Sequence, residues 1–136
     1  MVSFIKQGKA VVILNGRFAG KKAVVVENFD EKTGDKKRAG HCLVVGVERC
    51  PLKITSSMGQ KRVARRSRVK PFVKVINHSH MLPTRYSFNV DLSKVVKHEA
   101  IQDAAQRQEV RKKVRKILED AYATGSHKWF FSKLRF

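Results

Sequence analysis

Five short segments rich in valine, isoleucine and aromatic residues occur within the first two thirds of the chain. Each spans five to seven residues, a length that suits a strand better than a helix. Gly16, Gly20 and Gly40 stand in the gaps between them, where chain reversals favour glycine. This pattern predicts a small five-stranded barrel with strands at 10–14, 23–29, 42–47, 72–76 and 86–90.

The pattern changes to a helical one after Asp91. Residues 99–122 contain no Gly or Pro and consist largely of Ala, Gln, Glu, Lys and Arg. Apolar residues recur there at the spacing of one helical face: Val110, Val114, Ile117, Leu118 and Ala121. Gly125 supplies a C-terminal stop. We predict a basic amphipathic helix that docks on the barrel or on RNA; an anionic membrane is disfavoured because the apolar face lacks aromatic residues.

The connection between the third and fourth predicted strands carries the densest positive charge. Residues 49–90 contain ten Lys and Arg and no Asp or Glu, and six of these cations lie within 60–70. A long connection without a hydrophobic pattern is more often functional than part of a core. A solvated charge run or a nuclear-localisation signal is the alternative. We predict that 49–70 is an inserted basic loop, flexible in the free protein and ordered by RNA.

The overall composition points to the same class of partner. The 136 residues include 30 Lys and Arg against 11 Asp and Glu, a formal charge of +19, which favours a polyanionic ligand. The length suits about one domain, and a hydrophobic content of 42% argues against a disordered basic tail. No apolar run is long enough for a membrane span, so we expect a soluble intracellular protein.

Catalytic and metal-binding alternatives fit the sequence poorly. Residues 16–22 resemble a phosphate-binding P-loop, but one residue is missing between the glycines, Lys22 stands where Mg²⁺ needs a hydroxyl, and a strand follows. His41, Cys42 and Cys50 lack the paired spacing of a zinc site. A cysteine nucleophile with a histidine base would also need an orienting third group and a pocket, and the sequence specifies neither. We therefore expect no enzyme, no cofactor and no metal.

Residues 6–26 resemble a KOW motif and read KQGKAVVILNGRFAGKKAVVV. Gly20 would be the defining glycine of this motif, and 16–22 would be its RNA-contacting loop. The resemblance implies an SH3-like barrel of the kind found in ribosomal proteins and transcription elongation factors. A transcription-elongation RNA-binding module is therefore the alternative function, although such proteins normally carry several copies in a longer chain.

Three further segments make the resemblance more specific: GHCLVVG at 40–46, MLPTRY at 81–86 and KWFFSKLRF at 128–136. Together with the KOW-like segment they are similar to the eukaryotic large-ribosomal-subunit protein twenty-seven family, from residue 3 to residue 136. The resemblance implies a mostly β protein, with an SH3-like barrel at 1–92 and a helical, basic extension at 93–136.

The same resemblance sets the expected function and partners. It implies a structural, non-enzymatic constituent of the cytosolic 60S subunit that passes through the nucleolus during assembly. Its partners would be large-subunit rRNA and neighbouring ribosomal proteins, without a membrane, a small-molecule substrate or homo-oligomerisation. Phosphate contacts would supply affinity, and RNA shape and unstacked bases would supply specificity.

The candidate RNA-contacting residues are cations, histidines and aromatic residues in the loops, the basic segment, the helix and the C-terminus. They are Arg17, Phe18, Lys21, Lys22, Lys36, Lys37, Arg38, Lys61, Arg62, Arg65, Arg66, Arg68, Lys70, His78, His80, Arg85, Lys112, Lys128, Trp129, Lys133 and Arg135. We also expect 128–136 to anchor the chain on RNA or a neighbouring protein, with packing on its own helix as the alternative.

Overall fold

A computed structural model describes residues 5–29, 40–88, 92, 94–97, 103–125 and 127–132. Within these described residues the chain forms five strands, two α-helices and one short 3₁₀ turn. In chain order these are β1 (Lys9–Ile13), β2 (Lys22–Phe29), β3 (His41–Arg49), α1 (Gln60–Arg66), β4 (Lys70–Asn77), the 3₁₀ turn (His78–His80), β5 (Met81–Ser87) and α2 (Ala104–Thr124). The chain is therefore mostly β with a C-terminal helix, as predicted.

The five strands form one antiparallel sheet in the order β4-β3-β2-β1-β5. The central pair is β2 with β3, where Val24 lies opposite Val45. Bulges or irregularities interrupt the register in the β1–β5, β2–β3 and β3–β4 pairs. Since bulges bend and twist the strands that carry them, this sheet is curved rather than flat.

Both faces of the sheet are covered by apolar side chains, which explains the continuous valine runs in β1, β2 and β3. On one face Val25 and Val44 belong to a cluster that also includes Phe72 and Met81. Residues of alternate position, such as Val24, belong to a second cluster on the opposite face. Strands that are buried on both faces are apolar at every position rather than at alternate positions.

The helix α2 covers the second face of the sheet. Its buried residues are Val110, Val114, Leu118 and Ala121, four of the five positions in the predicted stripe. The Asp103 side chain caps the helix by accepting a hydrogen bond from the Ala105 amide, and Gly125 ends it with a φ of 74°. The predicted helix and its stop are confirmed, and of the two predicted docking surfaces it is the sheet that α2 contacts.

Two predicted elements differ from the structure. The fifth strand begins at Met81, five residues before the predicted start, and the predicted positions 89–90 lie outside the described residues. Pro83 masked this strand in the sequence, but β5 is an edge strand, where proline is tolerated. The basic segment 49–70 also contains the helix α1, although none of the residues in α1 is buried.

The C-terminal segment packs on the protein itself over the part that the structure describes. Phe130 and Phe131 are 3% and 4% exposed and belong to the same cluster as α2. The Trp129 ring stacks on Tyr86 with centroids 4.1 Å apart. These three aromatic residues therefore pack on the protein itself, which was the alternative to an RNA anchor. Positions 133–136 of the predicted anchor lie outside the described residues.

Candidate nucleic-acid interface

The loop between β1 and β2 is a tight turn that presents cations to solvent. Gly16 and Gly20 have φ values of 92° and 81°, a region that residues with a Cβ rarely adopt. The Gly20 amide donates to the Ile13 carbonyl at 2.7 Å, and this bond closes the loop. The Arg17 side chain, at the tip, is 75% exposed. The loop is therefore built by its glycines and leaves the guanidinium accessible.

Phe18 fixes this loop to the sheet. Its ring lies parallel to that of Phe72 at a centroid distance of 4.0 Å. The Arg17 guanidinium and the Lys74 ammonium lie 5.4 Å and 5.7 Å from the Phe18 ring centroid. One face of the ring is thus already stacked within the protein, and two cations lie within cation–π distance of it.

Lys22 points into the protein, in contrast to its predicted role at the RNA surface. Its ammonium donates to the carbonyl oxygens of Trp129 and Ser132 at 2.5 Å and 2.8 Å, and lies 3.1 Å from the Ser132 hydroxyl. It also lies 4.1 Å from the centroid of the Trp129 ring. Only 4% of the residue is exposed. Lys22 therefore joins β2 to the C-terminal segment and offers little to an external phosphate.

The helix α1 presents its cations outward. Lys61, Arg62 and Arg65 are exposed, and α1 contains no carboxylate. Arg66 is used differently, because its guanidinium donates to the Lys53 carbonyl at 2.9 Å. The Leu52 amide in turn donates to the Arg66 carbonyl at 2.8 Å. These two hydrogen bonds join the segment 52–53 to the C-terminal end of α1.

A groove runs between the start of β4 and one face of α2, and we call it the β4–α2 groove. It has a volume of about 420 Å³. Its lining residues in the described part of the chain include six cations and no carboxylate: Arg49, Arg68, Lys70, Arg111, Lys112 and Arg115. Val69 and Pro71 form an apolar floor. Lys70 and Arg115 also lie near carboxylates outside the lining, those of Glu48 and Glu119, but six cations against two carboxylates leave the region positive and able to attract an anion.

The cations of α2 reach the groove because of their spacing. Gln108, Arg111, Lys112 and Arg115 follow the i, i+3, i+4, i+7 pattern of one helical face. The apolar stripe beside that face docks on the sheet and so fixes its direction. Glu119 adds a direct link, since its carboxylate accepts from Arg115 at 3.1 Å and from the Val69 amide at 3.3 Å.

Comparison with known proteins places the chain in a family. The profile of the ribosomal L27e protein family matches residues 10–136. The chain belongs to the ribosomal L27e protein family. Large ribosomal subunit protein eL27 from Pyrobotrys stellatus is 48% identical over 136 residues, which is 100% of both chains. The predicted resemblance to the large-subunit protein twenty-seven family is confirmed, and it favours a ribosomal protein over a transcription-elongation module. L27e is a family of structural ribosomal proteins and not of enzymes.

Three of the predicted RNA-contacting residues of this L27e family member line the β4–α2 groove: Arg68, Lys70 and Lys112. Arg49, Arg111 and Arg115 line it as well but are not among the predicted residues. The helical spacing of Arg111, Lys112 and Arg115 was visible in the sequence. The direction of that face was not, because it depends on how α2 docks against β4.

The predicted histidines have internal contacts. His78 Nε2 lies 2.7 Å from the Asn28 side-chain oxygen and 3.1 Å from the Cys42 sulfur. The His80 carbonyl accepts a hydrogen bond from the Leu14 amide at 2.8 Å. Cys42 in β3 and His78 in the 3₁₀ turn are far apart in the sequence, yet their side chains meet. No group of three or more potential metal ligands occurs among the described residues.

The remaining predicted RNA-contacting residues either lie on other surfaces of the protein or fall outside the described residues. Lys21, Arg85 and Lys128 are exposed. The predicted positions outside the described residues are Lys36, Lys37, Arg38, Lys133 and Arg135. Within the part of the chain that is described, no helix is long and apolar enough to cross a membrane.

Proposed function

We propose that this member of the L27e family binds large-subunit rRNA through the β4–α2 groove. Family membership makes the chain a structural protein of the large ribosomal subunit. In that particle the abundant polyanion is RNA, and a net charge of +19 matches it. The single observation that carries the proposal is the gathering of six cations in one groove with no carboxylate among its described lining residues.

The groove is suited to phosphate rather than to base recognition. Four of its six cations are arginines, whose planar guanidinium groups can donate two parallel hydrogen bonds to one phosphate. They come from β3, the segment before β4, and α2, so their relative positions are set by the fold. Contacts of this kind position a protein on RNA but carry little sequence information.

Two further features belong to the same proposal. The curved sheet, apolar on both faces, supports an SH3-like barrel in which the β1–β2 loop is the KOW loop, with Arg17 and Lys21 exposed for RNA. The exposed cations of α1 supply a second basic surface. We also propose that the protein contacts neighbouring ribosomal proteins and supports subunit assembly. It would act in the cytoplasm after passing through the nucleolus during assembly.

The test measures binding to fragments of large-subunit rRNA over a range of salt concentrations. The groove variant combines Arg68→Ala, Arg111→Ala and Lys112→Ala. The matched control combines Lys94→Ala, Lys97→Ala and Lys113→Ala, three exposed lysines outside the groove lining that remove the same net charge. Circular dichroism and thermal unfolding of all three proteins establish that each is folded.

The two variants should differ in both affinity and salt dependence. Each lost phosphate contact on a duplex lowers the slope of log K against log salt by about 0.9, so the groove variant should lose a slope of about 2 to 3. The control should lose much less. Equal losses in the two variants would mean that only the total charge matters, and the groove assignment would then be wrong.

A further inference from the structure

A second cleft opens beside the β4–α2 groove and differs from it in chemistry. It lies between the β1–β2 loop, the end of β3 and the C-terminal segment, and its volume is about 780 Å³. Arg49 and Lys70 line both spaces, so the two are adjacent. Arg17 and Lys21 add two more exposed cations, which makes four, whereas the fifth cation of the lining, Lys22, is buried. Unlike the groove, this cleft contains a carboxylate, that of Glu48.

Glu48 lies between cations without being saturated by them. One carboxylate oxygen is 3.8 Å from the Arg17 guanidinium, and the other is 3.6 Å from the Lys70 ammonium. Both distances exceed the usual length of a hydrogen bond. The Glu48 side chain is 26% exposed, so it is partly withdrawn from water but remains open to the cleft. A carboxylate in this state still has the capacity to accept hydrogen bonds.

The combination of charges selects the chemistry of the ligand. Four cations attract an anion, but a phosphate that approaches the cleft centre is repelled by Glu48. A ligand satisfies both groups only if it carries a phosphate and, a few ångströms away, N–H donors. An unpaired nucleotide has both features, because its base exposes donors once it leaves a helix. The cleft also has apolar wall area for a base, from Leu52, which is 53% exposed.

We propose that this cleft binds an unpaired guanine nucleotide of RNA, an inference that rests on the rRNA-binding function proposed above. Guanine presents two adjacent donors on its Watson–Crick edge, N1–H and the N2 amino group, which match the two oxygens of one carboxylate. Glu48 accepts these hydrogen bonds. Arg17 and Lys70 hold the flanking phosphates, and Leu52 contacts the base. Glu48 thus gives base discrimination to a surface that is otherwise specific only for phosphate.

The experiment varies the base and the carboxylate independently. Three RNA oligonucleotides of nine nucleotides have uridine at the eight outer positions and guanine, hypoxanthine (inosine) or adenine as the central base. The number and spacing of the phosphates therefore stay constant. Binding is measured for the parent and for Glu48→Gln, which keeps the size of the side chain but loses its charge and one acceptor oxygen. Glu109→Gln is the control, since Glu109 is an exposed carboxylate on α2 outside both linings.

The parent should bind the guanine oligonucleotide most tightly, and inosine, which lacks the N2 amino group, should bind more weakly. Glu48→Gln should reduce the preference for guanine over adenine by about fivefold or more, the usual effect of losing a bidentate contact. Glu109→Gln should leave that preference unchanged. If Glu48→Gln instead tightens binding to all three oligonucleotides by the same factor, Glu48 acts only as a repulsive charge and the inference is overturned.

The failure of this inference and the failure of the proposed function give different results. If the parent shows no preference among the three bases while the groove variant still loses rRNA binding, the guanine site is refuted and the phosphate-binding groove stands. If the groove variant binds rRNA as its matched control does, the proposed function itself is refuted.

Discussion

Replacing Lys22 with methionine removes the link between β2 and the C-terminal segment. Methionine keeps an unbranched side chain of similar length but cannot donate a hydrogen bond. The ammonium of Lys22 normally donates to the Trp129 and Ser132 carbonyl oxygens, at 2.5 Å and 2.8 Å. We expect the Lys22→Met protein to remain folded in the sheet but to lose stability at its C-terminal segment.

The structure sets the size of this loss. A hydrogen bond to a charged group contributes about 1.5 to 3 kcal/mol, and the cation–π contact with Trp129 adds about 0.5 to 1 kcal/mol. Ser132 is exposed, so in the variant water can replace the hydrogen bonds that Ser132 accepts from Lys22, at little cost in free energy. Relief of the ammonium's desolvation offsets part of the remainder. Because burial of the ammonium is itself costly, the net loss should be well below the sum of its contacts, about 1 kcal/mol or about 4 °C in Tm for a chain of this size.

Thermal unfolding and tryptophan fluorescence test this prediction together. Trp129 is the single tryptophan of the chain, so its emission reports directly on the residue whose carbonyl and ring contact Lys22. The emission should shift to longer wavelength as the ring becomes more exposed to water. Lys21→Met is the matched control, because Lys21 is exposed and adjacent. An unchanged Tm and emission spectrum in Lys22→Met would refute the role assigned to the ammonium.

The pH dependence of the same pair of proteins gives an independent check. Burial lowers the pKa of the Lys22 ammonium below its ordinary value of 10.5, and the charge of Cys50 opposes this shift. Between the lowered pKa and 10.5 the unfolded chain therefore binds more protons than the folded protein. The free energy of unfolding must rise with pH through that window. The parent should gain stability relative to Lys22→Met as the pH approaches 10.5 from below; a constant difference would contradict the direction of the shift.

Three other predictions follow from the fold. Gly20→Val should destabilise the sheet by about 1 to 3 kcal/mol because of the positive φ at Gly20, and a variant with the parent's Tm but weakened RNA binding would contradict this. Deletion of 129–136 removes the buried Phe130 and Phe131 and should lower the Tm of the free protein sharply; retention of the parent Tm would show that their packing contributes nothing. Amides of α1, which has no buried residue, should exchange hydrogen rapidly in free protein and slowly with RNA, whereas strong protection in free protein would refute the predicted flexibility of 49–70.

Most strands could be predicted because a buried strand consists largely of apolar residues, and such runs are visible in the sequence. The valine runs of β1, β2 and β3 are apolar at successive positions and are too short for typical helices, so they indicate strands that are buried on both faces. β5 leaves no such signal, since most of its residues are exposed and it contains Pro83. Its place in the sheet comes from pairing with β1, where Met81 lies opposite Ile13, and such pairing is a tertiary property.

The functional surface was harder to predict for the same reason. The number of cations is a property of composition, but which of them are free depends on the fold. Lys21 and Lys22 are neighbours of identical chemistry, yet one is exposed and the other is 4% exposed and bound to the C-terminal segment. The contrast follows the boundary between loop and strand: Lys21 lies in the β1–β2 loop, whereas Lys22 is the first residue of β2, where both faces of the sheet are covered.

The β4–α2 groove also connects stability with binding. The apolar stripe of α2, including Val114 and Leu118, is buried against the sheet, and the adjacent face of the same helix supplies Arg111 and Lys112. Folding therefore has to bring like charges together, and their repulsion opposes the burial that stabilises the core. Phosphate removes that repulsion without changing the packing. A ligand at 100 times its dissociation constant adds about 2.7 kcal/mol to the free energy of unfolding, so the protein should be more stable on RNA than alone. The charged face of α2 thus opposes the stability that its apolar stripe supplies, and the proposed contact with rRNA would offset that cost in the assembled particle.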